Sequence, residues 1–177
     1  MPMRPDFLDM TYLSRGSETQ RKAHAAIVFS GVTFVLRGFT PVVVGTLPLD
    51  LFTDKSDIDI ICEVDDPKRF VATFNKSLGH VMRDIQVDHK DLNGVSSVII
   101  TFGHLNFNFE VVGQPIPVTQ QAAYRHMLIE WDILAANDPS FREKILDLKR
   151  SGIKTEPAFA QVLGLKGDPY EALLNYR

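Results

Sequence analysis

A chain of 177 residues with 45% hydrophobic and 23% charged residues and a mean hydropathy of −0.03 can bury a core of ordinary size without staples, and is not disordered. Nineteen Lys and Arg against 22 Asp and Glu leave a net charge of −3, which gives no bulk attraction to nucleic acid, so a nucleic-acid partner is not expected. The single cysteine, Cys62, excludes an internal disulfide, and no run of about 18 apolar residues or basic-then-apolar leader is seen, so a cytoplasmic protein without membrane association is the expectation.

Residues 1–16 are mixed, with Pro2, Pro5 and Gly16, and Phe7, Leu8, Tyr12 and Leu13 read as a short segment docked on the body. Ser17-Glu18-Thr19-Gln20 has capping-box spacing and opens a helix that Gly31 ends. Val32 to Leu36 reads as either a short helix or a strand. Thr40-Pro41-Val42-Val43-Val44 is short and β-branched, a buried strand stopped by Gly45. The next strand carries Asp57-Ile58-Asp59-Ile60-Ile61-Cys62. Its alternation puts both aspartates on one face and Ile58, Ile60 and Cys62 on the other, so Cys62 reads as a buried, inert thiol.

Asp65-Asp66-Pro67 starts a helix that runs to about Leu78, and Gly79 marks its end. A strand over Val81–Lys90 follows. Val98, Ile100 and Phe102 alternate in another, and Gly103-His104 is expected to turn it into a strand from Leu105 to Val111. In that last strand Leu105, Phe107, Phe109 and Val111 share the core face, while Asn106, Asn108 and Glu110 share the other. From Thr119 the pattern turns helical, with Tyr124, Met127, Leu128, Trp131 and Leu134 as one packing stripe. Asp138-Pro139, Thr155-Glu156-Pro157 and Asp168-Pro169 start three further helices; Phe141, Ile145 and Leu148 form the inner face of the first of them. The expected fold is α+β: a mixed β-sheet core over residues 1–117 with helices on one side, and a helical extension over 118–177 packed on it as one unit.

Alternate residues of a strand are about 6.7 Å apart and neighbouring strands about 4.8 Å, so a strand with Glu110 beside one with Asp57 and Asp59 would gather three carboxylates. Unscreened, they would not all ionise at neutral pH; a cation among them removes the difficulty. Hard oxygen donors with no cysteine on their face select Mg²⁺ or Mn²⁺, and the spacing suits a two-ion site. Gly45 lets backbone amides approach a ligand, and Thr46 adds a hydroxyl donor. Metals beside such a turn describe a site for a nucleoside triphosphate. The five histidines show no zinc-ligand spacing.

An apolar strand, a Gly-Thr turn at Gly45-Thr46 and Asp57-Ile58-Asp59 about a dozen residues on resemble the signature of the nucleotidyltransferase superfamily with the polymerase-β-like fold. Asp54-Lys55-Ser56-Asp57-Ile58-Asp59-Ile60 is similar to the stretch around the metal-binding pair in its small bacterial members. The whole chain, including Gly152-Ile153-Lys154-Thr155-Glu156-Pro157 and Gly167-Asp168-Pro169-Tyr170, further resembles an uncharacterised bacterial family placed in that superfamily. The resemblance implies that Asp57 and Asp59 bind the metals and that Glu110 completes the site and acts as base. It also implies that a nucleotidyl group passes from a nucleoside triphosphate to a hydroxyl of a small-molecule or protein acceptor. Gly45, Thr46 and Ser56 are then the phosphate side of the site. One departure stands out: Leu47-Pro48-Leu49 occupies the place where small members carry an arginine, so Arg125 or Lys154 would have to meet phosphate charge. Without such a contact, the alternative is a catalytically silent member of the fold, a nucleotide-binding or antitoxin-like partner protein. A third reading, a metal-dependent phosphate hydrolase, uses the same acids.

Overall fold

The computed structural model describes residues 3–176; Met1, Pro2 and Arg177, at the ends of the expected segments 1–16 and 118–177, lie outside the described residues. The first helix, α1 (Glu18–Ser30), begins with both arms of the capping box: Ser17 Oγ accepts from the Gln20 amide and Gln20 Oε1 accepts from the Ser17 amide. It stops at Gly31, whose φ of 69° is left-handed. The ambiguous stretch after it is a helix, α2 (Val32–Val35), because Val32 and Leu36 fold back into the core beside α1.

Among the described residues the sheet has five strands: β1 (Val42–Val44), β2 (Ile58–Glu63), β3 (Arg83–Leu92), β4 (Val95–His104) and β5 (Phe107–Gln114), in the order β1-β2-β5-β4-β3. Only β2 and β5 run parallel; the other pairs are antiparallel. Between β2 and β3 lies α3 (Pro67–Leu78), capped by Asp66, which buries Phe70, Phe74 and Leu78 at intervals of four. The outer hairpin turns at Asn93-Gly94, both with positive φ.

The inner hairpin corrects the sequence reading. Instead of turning at Gly103-His104, β4 continues through both residues, and the turn is Leu105-Asn106, with φ of 45° and 65°. A two-residue slip preserves the faces of the strand, so Phe109 and Val111 are still buried on the expected side; Leu105, now at the tip, is 52% exposed and leaves the core set.

Each sheet face has its own core. Val43, Ile58, Ile60, Cys62, Val98, Ile100, Phe109 and Val111 pack with α1, α2 and α3. On the opposite face Val42, Val44, Ile61 and Val112 meet the C-terminal helices α4 (Ala122–Ala136), α5 (Pro139–Arg150), α6 (Thr155–Leu163) and α7 (Pro169–Leu174). In the N-terminal segment Phe7 and Leu13 are buried, whereas Leu8 is exposed. The expected α4 stripe is also displaced. Tyr124 and Met127 are buried as read, but the deepest neighbours are His126, Glu130 and Ile133, with Leu128, Trp131 and Leu134 only partly covered.

Candidate active site

Asp59 on β2 and Asp57 just before it are separated from the N-terminal core by the same alternation that buries Ile58 and Ile60. Asp59 lies in β2 directly opposite Glu110 of β5, in parallel register, and opposite Val44 of β1. Asp57 sits one residue before the strand and is exposed. All three line one cleft of about 440 Å³ between the sheet and the C-terminal helices.

Gly45 has a φ of 72°, and a Cβ there would collide with Asp59 Oδ2 and approach its Cγ to 3.1 Å. The glycine is thus required twice, for backbone conformation and for room for the carboxylate. Thr46 is buried, and its Oγ1 has no hydrogen-bond partner although the residue lines the cleft. Ser56 also lines the cleft; its Oγ accepts from the Thr53 amide at 3.0 Å and so fastens the loop before Asp57. Lys154 is at the start of α6 and lines the cleft. Arg125 does not: it is exposed on α4 and is not among the cleft residues.

The loop after Thr46 is held by apolar and polar pins. Leu47, Leu49 and Leu51 are buried. Gln20 Nε2 donates to the Leu47 carbonyl at 2.9 Å and to that of Pro48 at 3.3 Å. Arg142 of α5 donates to the carbonyls of Leu49 and Asp50. The leucines therefore fix the loop as core residues where an arginine would reach a ligand.

The helical wall also supplies His126, Glu130, Lys149, Glu156 and Tyr170, of which sequence reasoning passed over Glu130 and Lys149. His126 Nε2 is 3.0 Å from the Tyr170 carbonyl and Nδ1 is 3.9 Å from Glu156 Oε1. Glu130 is 2% exposed, and its Oε1 has no partner. Lys149 Nζ donates to Thr155 Oγ1 at 2.8 Å. His126 and Glu130 are four apart on α4, one helical face, and that spacing was the available signal.

The cleft is charge-strained. Burial, then Glu110, Asp57 and Glu156, push Asp59 up to about 8, with Lys149 opposing. Burial and then Asp57 raise Glu110, against Lys90 and Lys154. Burial and then Glu156 hold Glu130 well above the usual carboxylate range. Burial lowers Lys149, while Glu130, Glu156 and Asp59 pull it the other way. Among the described residues no group of three or more His, Cys, Asp or Glu side chains is arranged to hold a metal ion by itself. Mg²⁺ seldom has such a cage; it keeps waters and takes one or two carboxylates together with substrate phosphates. Hard carboxylate donors destabilised by one another, an orphaned threonine hydroxyl and a cysteine confined to the other face fit that mode of binding.

A family model described as a domain of unknown function, DUF4269, matches residues 25–176. The chain belongs to the DUF4269 family. Nothing among curated proteins matches this DUF4269 chain. Solved structures do. A GLD-2/RNP-8 complex is similar at a TM-score of 0.56 and 15% identity, over 86% of this chain and 60% of that one. The Cid1 poly(U) polymerase with MgGTP bound gives 0.56 and 12%, over 87% and 53%. The polymerase core of TRAMP, an RNA surveillance complex, gives 0.52 and 15%, over 92% and 50%. The DUF4269 chain thus spans between half and three-fifths of the lengths of these structures, and at such identities the likeness is one of fold: the α+β nucleotidyltransferase fold. Among its described residues no helix is long and apolar enough to cross a membrane.

Proposed function

We propose that the protein is a metal-dependent nucleotidyltransferase that moves a nucleotidyl group from a nucleoside triphosphate to a hydroxyl of an acceptor. The observation that carries the reading is the register that sets Asp59 against Glu110, with Asp57 lining the same cleft, Gly45 against the Asp59 carboxylate and the unpartnered Thr46 on the cleft wall. Asp57 and Asp59 would hold Mg²⁺ or Mn²⁺, with Glu110 completing the set; bound there, the cations neutralise phosphate charge and lower the barrier to displacement at the α-phosphorus. Glu110, whose affinity for a proton is raised by burial, takes the acceptor's hydroxyl proton. The acceptor oxygen then bonds to the α-phosphorus, the bond from that phosphorus to the bridging oxygen breaks, and pyrophosphate leaves. Gly45 and Thr46 orient the phosphates.

The acceptor is proposed to be a small molecule or a protein. A net charge of −3 gives no bulk attraction to a nucleic acid. The structural neighbours pull the other way, since their descriptions name RNA surveillance and poly(U) synthesis, and an oligoribonucleotide therefore belongs among the acceptors tried. Incubation with each triphosphate, Mn²⁺ and candidate acceptors should release pyrophosphate, and release should vanish in Asp59→Asn. Orthophosphate in its place identifies a hydrolase.

A second reading has one observation in its favour: the buried Leu47 and Leu49 stand where an arginine would meet phosphate. In that reading the protein is a silent nucleotide-binding or antitoxin-like partner. It predicts metal-dependent nucleotide binding with no pyrophosphate released by any acceptor.

A further inference from the structure

The two edges of the sheet differ: β1 has three residues and β3 has ten, eight of them exposed. Among the described residues no turn, loop or helix makes a backbone hydrogen bond to β3. From Gln86 to Leu92 it pairs with β4 without interruption and holds neither proline nor glycine; the one irregularity of the strand comes before, between Arg83 and Gln86. A straight edge of this kind presents a row of outward N–H and C=O groups that another strand can take up. Charged side chains protect such edges by opposing indiscriminate pairing. Here their order leaves one pairing open.

Gln86, Asp88 and Lys90 stand on the cleft face, Gln86 in line with Thr101 and Glu110, while Val87, His89 and Asp91 stand on the other. Two identical strands paired antiparallel about a two-fold axis are centred on a residue, since each residue has to meet one of the same backbone orientation. Centred on Asp88, Lys90 or Asp91, the pairing sets a charge directly against its own copy, which is destabilising. Centred on Gln86 or Val87, it runs into the irregularity. Centred on His89, it uses the whole straight stretch: Asp88 meets Lys90 of the second copy, Lys90 meets its Asp88, Val87 meets Asp91 and Gln86 meets Leu92. Asp88 Oδ2 and Lys90 Nζ are already 3.4 Å apart within one strand, so the four groups alternate in sign on one face.

We infer that β3 is the interface of a homodimer in which two copies pair antiparallel about His89 and their sheets join into one. The two-fold axis stands perpendicular to the sheet and preserves its faces, so both clefts open on the same side. Their β5 strands lie five strand spacings apart, about 24 Å. The pairing is independent of what the cleft binds.

Sedimentation velocity at low ionic strength is expected to give twice the chain mass of 19.9 kDa. Asp88→Lys sets a lysine against Lys90 of the second copy and should give a monomer; adding Lys90→Asp restores the unlike pairs and with them the dimer. Both positions are exposed, and circular dichroism checks that each variant is folded. His89→Cys should oxidise to a disulfide-linked dimer, because residues directly opposite in an antiparallel pair have Cα atoms about 4.5–5.5 Å apart, within disulfide range. Val87→Cys, offset from its own copy by four residues of strand, should stay reduced, and the native Cys62 is fully buried. A wild type that remains monomeric, a dimer unmoved by Asp88→Lys, or a dimer in which His89→Cys cross-links no more readily than Val87→Cys overturns the assignment.

Discussion

Asp59 concentrates the chemistry of the molecule into one side chain, because strand register, the absent Cβ of Gly45 and the lysine of the opposite wall all act on it. Its folded-state pKa of about 8 lies above its ordinary 3.8, so the folded protein holds a proton that the unfolded chain releases. Stability from this group is therefore complete below about pH 4 and is lost as pH rises toward about 8. Urea denaturation should show Asp59→Asn gaining on the wild type across that window, by on the order of a few kcal/mol at its upper end. Parallel pH profiles would count against the described environment. Gly45→Ala is expected to destabilise by about 1–2 kcal/mol for the left-handed backbone and further for the collision with Asp59 Oδ2. Gly31→Ala, at a φ of 69° with open space around it, has only the backbone term and serves as the comparison. Equal losses in the two variants would show that the carboxylate does not need the space. Cys62, fully buried and pushed up to about 12 by that burial, should resist thiol reagents at neutral pH until the protein unfolds. The acids of the sheet were legible because a charge between isoleucines in a strand has no ordinary explanation. Glu130 and Lys149 were not, because on a helix a polar residue beside apolar ones reads as the solvent side, and only the packing of α4 and α5 against the sheet turns them toward the cleft.

Elements rather than single residues fix the loop that delivers Asp57. The start of α1 does so through two side chains: Gln20 closes the capping box and donates to the Leu47 and Pro48 carbonyls, while Ser17 Oγ donates to Asp50 Oδ1 at 2.6 Å. Gln20→Ala should therefore destabilise by about 1–3 kcal/mol, since it leaves the buried Pro48 carbonyl unpaired and the Leu47 carbonyl with only the Asp50 amide, and should weaken nucleotide binding as the loop loosens. A destabilisation confined to helix fraying, with unchanged ligand affinity, would separate α1 from the loop. Helix starts were the most readable features of the sequence, because Ser17, Asp66, Asp138 and Asp168 each cap through a local side-chain bond that needs no tertiary partner. The β4–β5 turn was misplaced for the opposite reason. Gly103 resembles a turn residue but lies within paired strand opposite Asn108, and the turn falls to Leu105-Asn106, a choice imposed by the register of the whole sheet.

At the scale of the molecule, two cores clamp the sheet from opposite faces, and the cleft opens where the second core gives way to charged side chains. The order β1-β2-β5-β4-β3 could not be read from spacing alone, since the parallel contact of β2 with β5 joins strands separated by a helix and a long hairpin. That contact decides everything about the site, because it alone sets Glu110 opposite Asp59. Calorimetric titration of a nonhydrolysable nucleoside triphosphate, with and without Mn²⁺, into the wild type and a folded Asp57→Asn, Asp59→Asn double variant tests this most directly. The expected result is binding by the wild type that requires the cation and is lost in the double variant; equal binding by both proteins, or none by the wild type, would contradict it.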